Sequence, residues 1–69
     1  MYEVGDRIFL VEGYDRHFNR ANQGKYVKII AIDKHDGFLP YCVRTQDGTT
    51  NWIDKDAIKC RLKLLGIRV

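Results

Sequence analysis

The chain has 69 residues, of which 45% are hydrophobic and 30% are charged, with 12 Lys and Arg against nine Asp and Glu. Because a chain of this length buries only about 60% of its unfolded surface, we expect one domain with one core. The composition excludes a disordered tail, and the length excludes an enzyme with separate catalytic and substrate domains.

Apolar residues recur mostly at every second position, a spacing typical of β-strands. The first strand is predicted over 4–11, with Ile8 and Leu10 on one face. The polar stretch 12–24 fits neither the strand nor the helix period and is predicted to be a long loop. The second strand is predicted over 25–33, where β-branched residues are frequent and Val27, Ile29 and Ala31 share one face.

Turn-forming residues divide the second half of the chain. Pro40 suits the start of a third strand, predicted over 41–46. The dipeptide Asp47-Gly48 can adopt the positive φ angles of a tight hairpin, so a fourth strand is predicted to return antiparallel over 49–53. A single helical turn over 54–57, capped by Asp54, then leads into a fifth strand over 58–62.

This order of elements predicts an all-β domain over 1–62, a small five-stranded SH3-like barrel with a long first loop and a one-turn 3-10 helix before the last strand. The predicted core consists of apolar positions on the inward face: Ile8, Leu10, Val27, Ile29, Tyr41, Val43, Trp52 and Ile58.

The last segment, 63–69, is predicted to be a tail that is both basic and apolar. We expect it to pack on its own domain, with a homodimer formed through the tail and docking on a separate partner as alternatives. Residues 1–58 carry eight Lys and Arg against nine Asp and Glu, whereas the residues from Lys59 onward carry four cations and no acid. The body of the domain is therefore close to neutral.

No catalytic constellation is evident, so we expect a protein without enzymatic activity, cofactor or metal site. Cys42 and Cys60 are not in a CxxC arrangement and are predicted to be free thiols, with a disulfide or a metal site as alternatives. His17 and His35 are predicted to be exposed, in the loop and in a turn. The apolar runs 8–11 and 29–32 are too short for a signal peptide or a membrane span, so we predict a cytoplasmic protein without a membrane partner.

Two stretches resemble the KOW element of ribosomal and transcription-elongation proteins: Gly5-Asp6-Arg7-Ile8-Phe9-Leu10, and Gly24-Lys25-Tyr26-Val27 through Ile32. The element pairs a Gly-Asp-x-hydrophobic-x-hydrophobic strand with a Gly-Lys-x-Gly-x-hydrophobic strand, and the second glycine of the latter falls at Val27 here. The stretch 39–58 is similar to small SH3-like proteins of bacterial and bacteriophage genomes, and somewhat to Tudor-type modules. The resemblance implies the fold more directly than a function.

The favoured hypothesis is a non-catalytic protein-binding module, such as a phage-encoded or bacterial accessory or regulatory protein. Aromatic rings and guanidinium groups in the first loop suit the binding of a peptide or the stacking of bases. The predicted partner-binding residues lie in this loop and in facing turns: Tyr14, Arg16, His17, Phe18, Arg20, Phe38 and Trp52. Alternatively, Tyr14 and Phe18 fold the loop onto the barrel.

Two other functions stay open. One is KOW-like binding of RNA or DNA, with phosphate contacts from Lys25, Lys28, Lys59, Arg61 and Lys63. The other is an oligomeric enzyme that resembles the plasmid-borne type II dihydrofolate reductase. The pore-lining Val-Gln-Ile-Tyr motif of that family has no match, because the corresponding region reads Thr50-Asn51-Trp52-Ile53. We favour protein binding over nucleic-acid binding, with no catalytic step in either.

Overall fold

The computed structural model describes residues 2–11 and 17–62, with only the backbone at His17 and Asn19. The elements in chain order are β1 (Arg7–Leu10), α1 (His17–Asn22), β2 (Tyr26–Ile32), β3 (Tyr41–Arg44), β4 (Thr50–Ile53), a 3-10 turn (Lys55–Ala57) and β5 (Ile58–Arg61). The five strands form one antiparallel sheet in the order β4-β3-β2-β1-β5. The all-β class and the five predicted strands are confirmed. Since β4 and β5 are the two ends of this sheet, closure into a barrel stays a prediction.

A short helix, α1, lies inside the stretch that was predicted to be an irregular loop, so that prediction is wrong for 17–22. The helix buries Phe18 among the core residues, while Arg20 and Ala21 are exposed. Six residues are fewer than two turns, so the 3.6-residue period has no room to appear in the sequence. The side chain of Phe18 stabilises the helix through its packing against the sheet.

The core lies on the inner face of the sheet. Six of the eight predicted core residues are buried, and Tyr41 packs against them at the edge of the cluster. Trp52 was predicted to be in the core and is 39% exposed, whereas its neighbour Ile53 is fully buried. The register explains this correction, because Ile53 lies opposite Tyr41 and Trp52 lies opposite Cys42. Adjacent residues on a strand face opposite sides of the sheet, so only one of the two can be in the core.

Two bulges change which residues face inward. The pairing of β2 with β3 shifts between Ile29 and Ala31, so that Ile32 packs against the core beyond the bulge. Ala31, predicted on the face of Val27 and Ile29, instead lies opposite Cys42. A second shift between Phe9 and Leu10 occurs where β1 pairs with β5. An extra residue at a bulge reverses the alternation along the strand, which a strict period of two does not anticipate.

The turn between β3 and β4 is a three-residue loop. The Thr45 N–H donates to the Thr49 carbonyl at 2.8 Å, and the Gly48 N–H donates to the Thr45 carbonyl at 3.0 Å. Gly48 has φ of +97°, while Asp47 has no positive φ. The tight hairpin was predicted correctly, although only one of its two turn residues is left-handed, as three-residue hairpins require.

The Gly-Asp pair of the first segment forms a bulge before β1. The Gly5 N–H donates to the Ile29 carbonyl at 2.7 Å, and the Ile29 N–H donates to the Asp6 carbonyl at 2.8 Å. Two consecutive residues therefore pair with one residue of β2, and Gly5 takes φ of +99°. This geometry is the G1 type of bulge, in which glycine avoids the steric cost of a positive φ.

On the free edge of β4, the backbone N–H of Trp52 is hydrogen-bonded to a side chain. Since Thr45 and Thr49 are a hydrogen-bonded pair, the alternation of an antiparallel ladder makes Cys42 and Trp52 a non-hydrogen-bonded pair. The N–H of Trp52 therefore points away from β3, and it donates to the Asn51 side-chain carbonyl at 2.8 Å.

The 3-10 turn that leads into β5 has the predicted N-cap. Asp54 accepts a hydrogen bond from the Ala57 N–H at 3.0 Å, as predicted for the start of the helical turn.

Cys42 and Cys60 are free thiols, the first buried and the second exposed. Within the described residues, no helix has both the length and the apolar content that crossing a membrane requires.

Candidate functional site

Three basic residues lie side by side on the outer face of the sheet. Arg7 of β1 is opposite Lys28 of β2, and Lys28 is opposite Arg44 of β3. All three side chains are exposed, whereas Ile8 and Val43, their neighbours along the chain, are fully buried. Directly opposite residues of antiparallel strands have Cα atoms about 4.5–5.5 Å apart. The three cations therefore form a continuous line across three strands, which we call the basic row.

The strands contain no acidic residue that would neutralise the basic row. Of the nine Asp and Glu, Glu12 and Asp15 lie outside the described residues. The other seven lie in turns, in connections or in the 3-10 turn: Glu3, Asp6, Asp33, Asp36, Asp47, Asp54 and Asp56. In the described part of the chain, no ion pair joins the basic row to a carboxylate. Although the net charge of the body is close to zero, the basic row lies on the strands and the described acidic residues lie outside them.

A shallow depression of about 240 Å³ lies along the basic row, and Tyr26 forms part of its wall. The guanidinium carbon of Arg7 is 5.7 Å from the centroid of the Tyr26 ring, within the range of a cation–π interaction. The Gln46 side-chain amide donates to the Tyr26 carbonyl at 3.4 Å. A ring therefore orients Arg7, and among the described residues no carboxylate forms an ion pair with it.

Trp52 lies on the same outer face, next to the basic row. It follows Thr50 by two positions along β4, and Thr50 is opposite Arg44. Trp52 is therefore the diagonal neighbour of Arg44 across the β3–β4 pair, a relationship in which residues are about 7–8 Å apart. An exposed indole thus lies beside the last cation of the basic row.

A second, larger depression of about 530 Å³ separates α1 from the turn between β3 and β4. Its lining includes Phe18 of α1, Lys25 after the helix and Asp47 of the turn. The hydrogen bond donated by the Thr45 hydroxyl and that donated by the Thr49 N–H lower the pKa of the Asp47 carboxyl below its ordinary value near 3.8. This carboxylate is therefore used by the turn itself.

The structure distributes the predicted partner-binding residues over several places. Phe18 is buried in the core, so it acts as the loop-folding alternative foresaw and not as a surface contact. Arg20 is exposed on α1, and Phe38 is 84% exposed in the turn between β2 and β3. The Asp36 carboxylate holds that turn by accepting the Phe38 N–H at 2.8 Å and the Leu39 N–H at 3.1 Å. Both bonds lower the pKa of Asp36.

Some of the predicted residues lie outside the part of the chain that the structure describes. Tyr14, Arg16 and Lys63 lie outside the described residues, as does the tail 63–69 with its predicted packing. The side chain of His17 is likewise not among those described. For these residues the sequence-based predictions stay predictions.

Of the predicted phosphate contacts, only Lys28 belongs to the basic row. Lys25 borders the larger depression, and Lys59 is exposed at the bulge of β5. The Arg61 side chain is bonded to Asp6 and lies over the Tyr2 ring at 5.5 Å, so its charge is already partnered.

Arg7 and Arg44 were missed as candidate functional residues. Each flanks a buried residue on a predicted strand, and acids are absent from the strands of the sheet. Counting charges by strand face would have found this signal.

The chain was compared with family models, with curated proteins and with solved structures, and nothing matches. Within residues 2–11 and 17–62, no three His, Cys, Asp or Glu side chains are grouped so as to hold a metal ion. The candidate functional site among the described residues is therefore the basic row together with Trp52.

Proposed function

We propose that the protein binds nucleic acid, and that the basic row makes the phosphate contacts. The observation that carries the proposal is the register of Arg7, Lys28 and Arg44 across three strands, with no acidic residue in the five strands that the structure describes. Nucleic-acid affinity comes largely from Lys and Arg that neutralise phosphates and release counterions. This favours the function that the overall charge had ranked second, because net charge averages over acids that lie in the turns.

The side chains of the basic row suit phosphate. Arg presents a planar fork of donors that matches two phosphate oxygens, while Lys contributes a compact charge on a flexible stem. The Tyr26 ring restricts Arg7, so less conformational entropy is lost when its guanidinium binds an anion. A line of three cations suits a polyanion better than a single anion, which would use only part of it.

The proposal makes a quantitative expectation for salt. Three phosphate contacts predict that the logarithm of the binding constant falls with the logarithm of salt concentration with a slope of about −2 for a single strand. Affinity of this kind is moderate, with dissociation constants on the order of 1–100 µM at physiological salt.

The experiment is a salt titration of a fluorescein-labelled oligonucleotide, followed by anisotropy, with two charge-matched double variants. Lys28→Gln/Arg44→Gln removes two cations of the basic row. Lys34→Gln/Lys55→Gln removes two exposed cations that lie outside the strands, one in a turn and one in the 3-10 turn. The first variant should reduce the magnitude of the slope by about 1.4, and the second should leave it nearly unchanged. Urea unfolding of both variants establishes that the fold is retained.

Equal losses in the two variants would mean that only net charge matters and would overturn the assignment to the basic row. If the oligonucleotide did not bind at low salt, the nucleic-acid proposal itself would be overturned.

Phe38 favours the second candidate function, a protein-binding module. Large apolar side chains that are 84% exposed on a turn held by a carboxylate are suited to enter a pocket on a partner protein. Crosslinking of wild-type protein in a bacterial lysate, with Phe38→Ala as the comparison, tests this candidate. A captured protein that is lost with Phe38→Ala supports it, and an identical capture pattern contradicts it.

A further inference from the structure

We propose that the ligand is single-stranded and that one of its bases stacks on Trp52 while the neighbouring phosphates contact the basic row. This inference rests on the proposed function and adds to it the class of nucleic acid and a residue that no charge argument identifies. Three features support it: the position of Trp52 beside the basic row, the exposure of its side chain, and the engagement of the other aromatic rings on the outer face.

The position of Trp52 matches the size of a nucleotide. The residue lies on the outer face, two positions from Thr50, which is opposite Arg44. Trp52 and Arg44 are therefore diagonal neighbours across the β3–β4 pair, with an expected separation of about 7–8 Å, so one nucleotide can reach from the indole to the guanidinium. The base and its phosphate thus meet different chemistry on adjacent positions of the same face.

The strand pairing places the indole next to Cys42. Cys42 and Trp52 form a non-hydrogen-bonded pair, the kind in which opposite side chains come closest. Cys42 is on the outer face and yet only 9% exposed, and Trp52, directly opposite, keeps 39% of its surface exposed. An indole packed across Cys42 would keep one face toward solvent, and in the proposed complex a base stacks on that face.

The other aromatic rings of the face are already engaged or differently placed. Tyr26 has the Arg7 guanidinium over its ring, and Phe9 is half-buried opposite Cys60. Phe38 is exposed but lies in a turn outside the strands. Among the described residues, Trp52 therefore combines an exposed ring with a place beside the cations.

The chemistry of this arrangement selects a single strand. In a duplex the bases stack on one another and a side chain reaches only their edges in the grooves. An exposed indole contributes to binding only when a base is free to leave its neighbours, as in single strands. Stacking on aromatic side chains tolerates any base, so little sequence preference is expected.

The experiment uses the intrinsic fluorescence of the protein, because Trp52 is the one Trp of the chain. The probes are a thymidine decamer, a decamer of abasic sites with the same phosphates, and a ten-base-pair duplex. The thymidine decamer should quench Trp52 emission and bind about tenfold more tightly than the abasic decamer. The abasic strand and the duplex should leave the emission nearly unchanged.

Two variants complete the test, with binding followed by anisotropy of labelled probes. Trp52→Ala should weaken binding of the thymidine decamer about tenfold and leave binding of the abasic decamer unchanged. Val4→Ala, the control, removes another exposed apolar side chain outside the strands and should alter neither. Circular dichroism of both variants establishes folding, and the quenching of wild-type protein tests the inference without any substitution.

The two proposals fail in distinguishable ways. Equal affinity of the abasic and thymidine decamers, or quenching by the duplex, would overturn the stacking inference while the effect of Lys28→Gln/Arg44→Gln still supported the basic row. Loss of binding to every probe at low salt would overturn the proposed function and the stacking inference together.

Discussion

Arg61 and Asp6 connect the last strand to the turn before the first, with the Arg61 Nε atom 3.2 Å from the Asp6 Oδ2 atom. The same oxygen accepts the Glu3 N–H at 2.8 Å, and the Arg61 guanidinium lies over the Tyr2 ring. Tyr2 in turn meets Tyr41 edge-on, with ring centroids 5.8 Å apart. Residues near both ends of the described chain therefore pack against one border of the core.

The first prediction concerns this ion pair. Arg61→Gln should lower the free energy of unfolding by about 0.5 kcal/mol, because a partly exposed ion pair contributes little and is screened by salt. Urea unfolding at low and at 1 M salt measures the effect, which should shrink at high salt. If Arg61→Gln reduced the salt slope of oligonucleotide binding as much as the single substitution Lys28→Gln, the purely structural role of Arg61 would be contradicted.

The second prediction concerns Gly5. A Cβ atom at this position would meet no heavy atom within 4 Å, so Gly5→Ala is sterically free and its cost comes from the positive φ alone. We expect a loss of stability of about 1 kcal/mol. Gly37→Ala is the matched control, since Gly37 has equally open space and no positive φ, and it should be neutral or slightly stabilising. Equal effects of the two substitutions in urea unfolding would argue against the bulge.

The third prediction is a dependence of stability on pH at the turn between β3 and β4. Hydrogen bonds from Thr45 and Thr49 lower the pKa of Asp47 from its ordinary value near 3.8 in the folded state. Its contribution to stability is therefore complete above the unfolded pKa and is lost as the pH falls through the lower folded pKa. Asp47→Asn should destabilise the protein at about pH 6, and the difference from wild type should shrink well below pH 3.8. A destabilisation that is constant over this range would contradict the argument.

The fourth prediction tests the register of β4. Ile53 is fully buried, so Ile53→Ala should cost about 3 kcal/mol through lost burial and a cavity. Trp52→Ala removes a larger side chain but one that is 39% exposed, so it should cost less than Ile53→Ala. Urea unfolding followed by circular dichroism compares the two. A larger cost at Trp52 would place the indole in the core, as the sequence had suggested.

Strand positions were predictable here because the signals were local. Alternating apolar residues, the Asp47-Gly48 turn and the Asp54 cap each act over a few residues, and the structure contains the elements they indicate. The bulges within the β2–β3 and β1–β5 pairs were not predictable in this way. A bulge inserts one residue without changing composition, so the inner face moves to Ile32 with no mark in the sequence.

The candidate site depends on register, which explains why only part of it could be predicted. Arg7, Lys28 and Arg44 are far apart in the chain and become neighbours only when three strands pair. Lys28 was predicted as one of several possible phosphate contacts. Its two neighbours required the strand partners to be known. Trp52 was predicted both as core and as a contact, and the pairing of Ile53 with Tyr41 decides between the two by placing Trp52 on the opposite face.

The side chain of Asn51 has a consequence for association between copies of the chain. A foreign strand that approached β4 would have to displace the Asn51 carbonyl before it could bond the Trp52 N–H. Edge strands with unoccupied donors act as templates for aggregation, and occupied donors raise the cost of such pairing. The sheet thus carries, at the strand that bears its exposed indole, a local safeguard against growth into a fibril.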